Sequence, residues 1–231
     1  MLPRTLETEV MDTSQEAVDY NAMDHGEVNR AFVCDFLRAG RTLGMRLDEG
    51  GQPSMMLDVG TGTALIPIEL CLKSSSCRVT AIDLAEEMLK LARQNVETVG
   101  LQDAIVLEQI DAKYLPYDDH FFDVIVSNSI IHHIAQPMQV LAEMLRVLRP
   151  GGLLFVRDLL RPDHLQTLDH LVATYAGDEN EHQQQMFRDS LHAALTLDEI
   201  RELLDELKIS RSWVSQTTDR HWTIAGRRFG R

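Results

Sequence analysis

Three acidic residues and two glycines, regularly spaced, carry the chemistry that this chain's residue types allow. Asp58, Gly60 and Gly62 stand in MMLDVGTGTALIPIEL, residues 55–70, where a short apolar run closes on a Gly-rich turn and a helix-forming segment follows. That pattern predicts a buried parallel strand, a tight loop and a helix whose first N–H groups face whatever fills the turn. Such a turn is built to hold a nucleotide-like ligand. Asp83 closes a second apolar run, RVTAID, 21 residues beyond Gly62. A carboxylate there can accept from vicinal ribose hydroxyls; the competing role is to cap the helix predicted over Ala85–Val99. Asp111, followed by Ala112, comes just after a third run, Ile105–Ile110.

Spacing decides which nucleotide. A dinucleotide fingerprint needs Gly or Ala at its third position, and here the bulky Leu65 stands there. A nicotinamide oxidoreductase is therefore disfavoured. The pattern Asp-x-Gly-x-Gly-x-Ala, from Asp58 through Ala64, resembles motif I of class I S-adenosylmethionine (SAM) methyltransferases with its last Gly replaced by Ala. The resemblance implies SAM as cofactor: Asp58 helps to anchor its aminopropyl end, Asp83 its ribose and Asp111 its adenine amino group. Leu84, Ala112, Ser127 and Asn128 complete the expected cofactor set. Leu115-Pro116, Asp118 or Asp119, and Phe122-Asp123 also match the family's run after the third acid.

The fourth strand, Phe122–Ser127, runs into NSIIHHIAQP at the sheet edge where open α/β folds bind ligands. This segment resembles the ubiquinone/menaquinone-type methyltransferase group, in which an apolar-His-His-apolar run is frequent. Adjacent residues on a helix point about 100° apart, so His132 and His133 are not expected to share a metal, and no metal is expected. His132 is a candidate proton acceptor near neutral pH; His133 reads as a packing residue.

The elements that must position these residues follow in order. Acidic, helix-prone sequence runs from Ser14 through Gly44, with Thr13 or Ser14 as cap and Val28, Phe32, Phe36 and Leu37 on one face. Residues 1–50 are read as an N-terminal helical lid, with Tyr20, Met23 and His25 beside the second half and Tyr20 a candidate substrate contact. Residues 51–231 form the core. LRVLRPGG ends a helix over Gln139–Leu148 and LLFVRD makes the fifth strand, placing Arg157 and Asp158 as candidate substrate contacts at its active edge. Residues 160–195 read as a helical cap insertion, and Thr196 with Glu199 as a capping box on the next helix. Ser212–Gln216 and His221–Gly226 read as a hairpin whose DRHW cluster, Asp219 to Trp222, offers His221 as a second candidate base.

The fold expected is α/β: a Rossmann-like, seven-stranded, mostly parallel sheet with an antiparallel last strand and helices on both faces. Lys and Arg number 22 against 36 Asp and Glu, a formal charge of −14, which repels phosphate backbones and anionic membranes. Three cysteines without ligand spacing suit a reducing cytoplasm, and no leader or membrane span is read. The function expected is SAM-dependent methyl transfer to a small-molecule acceptor by in-line displacement, by a cytoplasmic monomer or homodimer. Two alternatives stay open: a nucleic-acid (tRNA) methyltransferase, and a SAM-binding partner protein without catalysis.

Overall fold

A computed structural model of the chain describes residues 2–7, 12–22, 26–45, 54–74 and 77–228. The expectations placed on Met23, His25 and the boundary between residues 50 and 51 lie outside these. Two helices are described first, α1 (Ser14–Ala22) and α2 (Gly26–Thr42), both within the helix-prone run expected from Ser14 through Gly44. Strands and helices then alternate through β1 (Met55–Val59), α3 (Leu65–Lys73), β2 (Arg78–Asp83), α4 (Glu86–Thr98), β3 (Ile105–Gln109) and β4 (Phe122–Asn128). A 3₁₀ turn at Ile131–His133 leads to α5 (Pro137–Val147) and β5 (Leu148–Leu159). Three helices follow, α6 (Leu165–Tyr175), α7 (Glu181–Ala193) and α8 (Leu197–Glu206), before β6 (Val214–Gln216) and β7 (His221–Arg227).

The seven strands form one mixed sheet in the order β3-β2-β1-β4-β5-β7-β6. β1 pairs in parallel with β2 on one side and β4 on the other, and β6 pairs antiparallel with β7. Because the chain winds outward from β1 in both directions, β1 is the switch point where such sheets open a crevice at their carboxyl ends. By contacts the chain falls into two compact units. The larger comprises Val10–Asn128, Gln139–Val156 and Ala225–Arg231; the smaller comprises Met1–Glu9, Ser129–Met138 and Arg157–Ile224.

In the larger unit, Phe155 on β5 meets Phe32 and Phe36 of α2 edge-on, with ring centroids 5.2 and 5.6 Å apart. Val33, Met56, Val124 and Val126 pack in the same core. Val28, expected on this face, is exposed, and α3 turns Ile66, Ile68, Leu70 and Cys71 inward while Leu72 is exposed. In the smaller unit Leu159, Leu168, Leu171, Val172, Leu191 and Ala194 form a separate core, with Leu2 against it. The expected capping box is present, Thr196 accepting from the Glu199 N–H while Glu199 accepts from the Thr196 N–H.

Candidate functional site

The glycine turn is built as its sequence requires. Gly60 and Gly62 have φ of +72° and +55°, left-handed values that cost glycine little. Gly60 and Thr61 both donate to the Ile82 carbonyl at 2.9 Å, tying the turn to the end of β2. Ala64, where the motif commonly has a third glycine, also sits at φ +62° just ahead of α3. Its methyl is fully buried, which offsets part of the roughly 1–2 kcal/mol that a left-handed alanine costs.

Asp58, Asp83 and Asp111 stand at the same edge of neighbouring strands. Asp58 is 2 % exposed, and its Oδ2 has no hydrogen-bond partner among the described residues. Burial pushes its carboxyl up to about 7 against the help of the Thr61 hydroxyl, and the Asp83 charge pushes the same way. Asp83 accepts from the Gly62 N–H at 2.7 Å with one oxygen and from the Ala85 N–H at 2.9 Å with the other. It therefore holds the turn and the start of α4 together, while Ala85 occupies the cap position itself. Asp111 accepts from the Lys113 N–H at 2.9 Å and lies 3.6 Å from the Lys113 ammonium.

Tyr20, expected as a substrate contact, lies at this turn: a methyl built on Gly62 would meet its ring at 3.8 Å. Burial, with Asp83 and Asp58 nearby, raises its phenol to about 12. Asn95 of α4 fixes the neighbourhood, donating to the Thr63 carbonyl and to Asn21. Ser127, expected in the cofactor set, is fully buried and donates to the Val59 carbonyl at 2.8 Å, so its hydroxyl serves the β1–β4 pairing. Asn128 is half-buried at the end of β4, Ala112 is buried, and Leu84 is exposed.

The remaining expected residues belong to the smaller unit. His132 is 2 % exposed and its Nδ1 faces Asp158 Oδ1 at 2.5 Å. Asp158 is fully buried and also accepts from the His132 and Leu159 N–H groups, so it orients the imidazole and does not face a substrate. Burial opposes an imidazolium at His132, but the Asp158 charge wins and holds its pKa above the ordinary value. Nε2 of the same ring faces Glu7 at 3.4 Å, so carboxylates of the chain stand at both ring nitrogens of this candidate base. Arg157, also expected to meet substrate, is 5 % exposed and donates to the Thr223 hydroxyl at 3.0 Å. His221 is buried with Nδ1 2.8 Å from the Thr218 hydroxyl. Burial, then the Arg220 and Arg157 cations, drive its pKa down to about 4, which makes it a poor proton acceptor. The rest of the DRHW cluster braces the hairpin, with Asp219 accepting from the Tyr175 hydroxyl and the Arg220 guanidinium stacked on the Tyr175 ring.

Arg4 and Glu7 escaped sequence reasoning. Arg4 donates to the His132, Ile134 and Ala193 carbonyls, and Glu7 reaches both histidines. No spacing rule links residues so far apart; the His-His doublet marked only one side of the cluster.

Residues 57–156 match a protein family described as a methyltransferase domain. The matched stretch is similar to the class I SAM-dependent methyltransferases. It is 32% identical over 159 residues to a demethylmenaquinone methyltransferase of Porphyromonas gingivalis, covering 68% of this chain and 65% of that protein. It is 32% identical over 178 residues to the 27-O-demethylrifamycin SV methyltransferase of Amycolatopsis mediterranei, covering 75% and 61%. The chain thus spans just under two thirds of the length of each of these relatives. Its fold is shared with a SAM-dependent methyltransferase from Aquifex aeolicus, at a TM-score of 0.64 and 18% identity over 92% of this chain and 97% of that one.

Proposed function

We propose that this methyltransferase binds SAM at the β1 turn and transfers its methyl group to a small organic acceptor. The observation that carries the reading is Asp58, a buried acid with one unpartnered oxygen beside two left-handed glycines. A buried carboxylate without a cation is costly, and the ammonium of the aminopropyl group is a cation of fitting size. Asp83 is assigned the ribose hydroxyls; a carboxylate has about four lone-pair sites, so its two backbone bonds do not exclude them. Asp111 is assigned the adenine amino group, with Leu84, Ala112 and Asn128 lining the same edge and Tyr20 covering Gly62.

Bound SAM supplies an electrophilic methyl on its sulfonium, attacked in line with the S–CH3 bond. The chain's task is then to hold the acceptor near that methyl and to exclude water. No proton transfer is assigned to His132 or His221, given the two carboxylates at the first ring and the low pKa of the second. The relatives named for demethylmenaquinone and for 27-O-demethylrifamycin SV support an acceptor of small-molecule size. Three free thiols, and no described helix long and apolar enough to cross a membrane, support a cytoplasmic setting.

Calorimetry with SAM and with NAD tests the cofactor. SAM should release heat and NAD none, and Asp58→Asn and Asp83→Asn should each weaken SAM at least about tenfold, the loss of one charge-assisted contact. Methyl-labelled SAM with a panel of quinols and hydroxylated macrocycles then tests the transfer. Absence of heat with SAM would end this reading, and heat without label transfer to any small molecule would favour a non-catalytic SAM-binding protein.

A further inference from the structure

Glu7, His132 and His133 gather three metal-ligating atoms in the smaller unit, all within 4.8 Å of one another. The rings of His132 and His133 lie in a 3₁₀ turn with centroids 4.1 Å apart and planes tilted by 35°. The expected divergence of neighbouring histidines does not occur, because both rings turn toward the same Glu7 oxygen. Glu7 Oε1 is 3.1 Å from His133 Nδ1 and 3.4 Å from His132 Nε2. At the shorter of these separations a hydrogen bond would be ordinary. Yet Glu7 Oε1 and His133 Nδ1 are both buried without a completed hydrogen bond among the described residues, although, against the opposing effect of burial, the two imidazoles hold the Glu7 carboxyl below its ordinary value.

Atoms that converge in this way fit a third body between them. We propose that Glu7, His132 and His133 form a divalent-cation site, with zinc the cation that suits its donors. Zinc bonds to imidazole nitrogen and carboxylate oxygen at about 2.0–2.2 Å, which in a tetrahedron spaces ligand atoms roughly 3.3–3.6 Å apart. The 3.4 Å separation of His132 Nε2 from Glu7 Oε1 matches that edge, and the 3.1 Å separation of His133 Nδ1 falls just short of it. The remaining adjustment, drawing the two imidazole nitrogens together, falls on His133, whose side chain keeps 14 % of its exposure against 3 % for His132.

The surroundings of His132 complete the argument. Its Nδ1 faces Asp158 Oδ1, which places the ring proton there and leaves the Nε2 lone pair directed at the Glu7 side. A carboxylate behind a ligating imidazole is the arrangement that fixes tautomer and raises basicity at metal sites. With three protein ligands, the fourth zinc position is left to water. Glu7 thereby joins the chain's opening segment to the 3₁₀ turn through the metal, alongside the Arg4 contacts.

The test is zinc titration of the full chain after dialysis against EDTA, followed by calorimetry and thermal melting. One equivalent of zinc should bind with a rise in Tm, cobalt should give the visible absorption bands of a tetrahedral N/O site, and magnesium should do neither. Glu7→Gln and His133→Asn should each weaken zinc at least about tenfold, the lower end of what losing even an outer-sphere partner costs. Absence of zinc heat and of a Tm change in the folded wild-type protein would overturn the site, leaving a hydrogen-bonded cluster. Equal zinc affinity in wild type and Glu7→Gln would overturn it too. Calorimetry with SAM on the EDTA-treated protein is read separately, so loss of the zinc site leaves the cofactor assignment standing.

Discussion

At the scale of single residues, Asp58 is a group whose charge waits for a partner. Its folded pKa, about 7, lies above the ordinary carboxyl value of 3.8. The folded protein therefore holds this proton more tightly than the unfolded chain does, and the group's contribution to stability falls as pH rises from about 4 to about 7. Asp58→Asn should remove that component, visible as a flatter Tm against pH over the same window. A cationic amino group favours the ionised form, so SAM affinity should climb with pH up to about 7 and level off above it, by up to about tenfold per unit. Calorimetry at several pH values checks this, and a flat profile would place the ammonium elsewhere. Asp58, Gly60, Gly62 and Asp83 were legible in the sequence because one strand, turn and helix fix their spacing. Tyr20 over Gly62 was not, since a contact made by a separate helix leaves no local period.

At the scale of elements, the first half of β5 shows what a small residue can be needed for. A methyl on Gly152 would meet Leu148 Cδ1 at 2.6 Å, the Asp123 carbonyl oxygen at 2.8 Å and the Arg149 carbonyl oxygen at 2.9 Å. Two of those three atoms are backbone and cannot swing aside. Gly152→Ala should thus destabilise by about 3 kcal/mol, the upper range for overpacking, measured as a lower urea midpoint with unchanged m. Gly100 has open space around it, so its glycine serves conformation, at φ +69° after α4. Boundaries of β1 and β2 followed from apolar runs bracketed by turns, and the capping box marked α8. In α2 the expected face is buried at Phe32 and Phe36 and packs on the core at Leu37, and Val28 alone of that stripe is exposed. Periodicity names the stripe, but tertiary neighbours decide how far it extends, as buried Val33 beside it shows.

At the scale of the whole molecule, acidity bears on the class of acceptor. A formal charge of −14 should prevent counterion-driven binding to polyanions. Filter binding with bulk tRNA at low salt should give no retention; retention that weakens steeply with added salt would revive the nucleic-acid alternative. The seven-stranded, mostly parallel sheet was legible because one family pattern runs through β1 to β5, whereas the bonding inside the smaller unit depends on pairs remote in sequence. That remoteness bears on biosynthesis. Arg4 bonds to carbonyls 128, 130 and 189 positions downstream. At ribosomal speeds of about 5–20 residues per second, its last partner is made roughly ten to forty seconds after it. During that interval the Arg4 side chain lacks the Ala193 carbonyl, so this part of the smaller unit closes only after the last residue of α7 has been made.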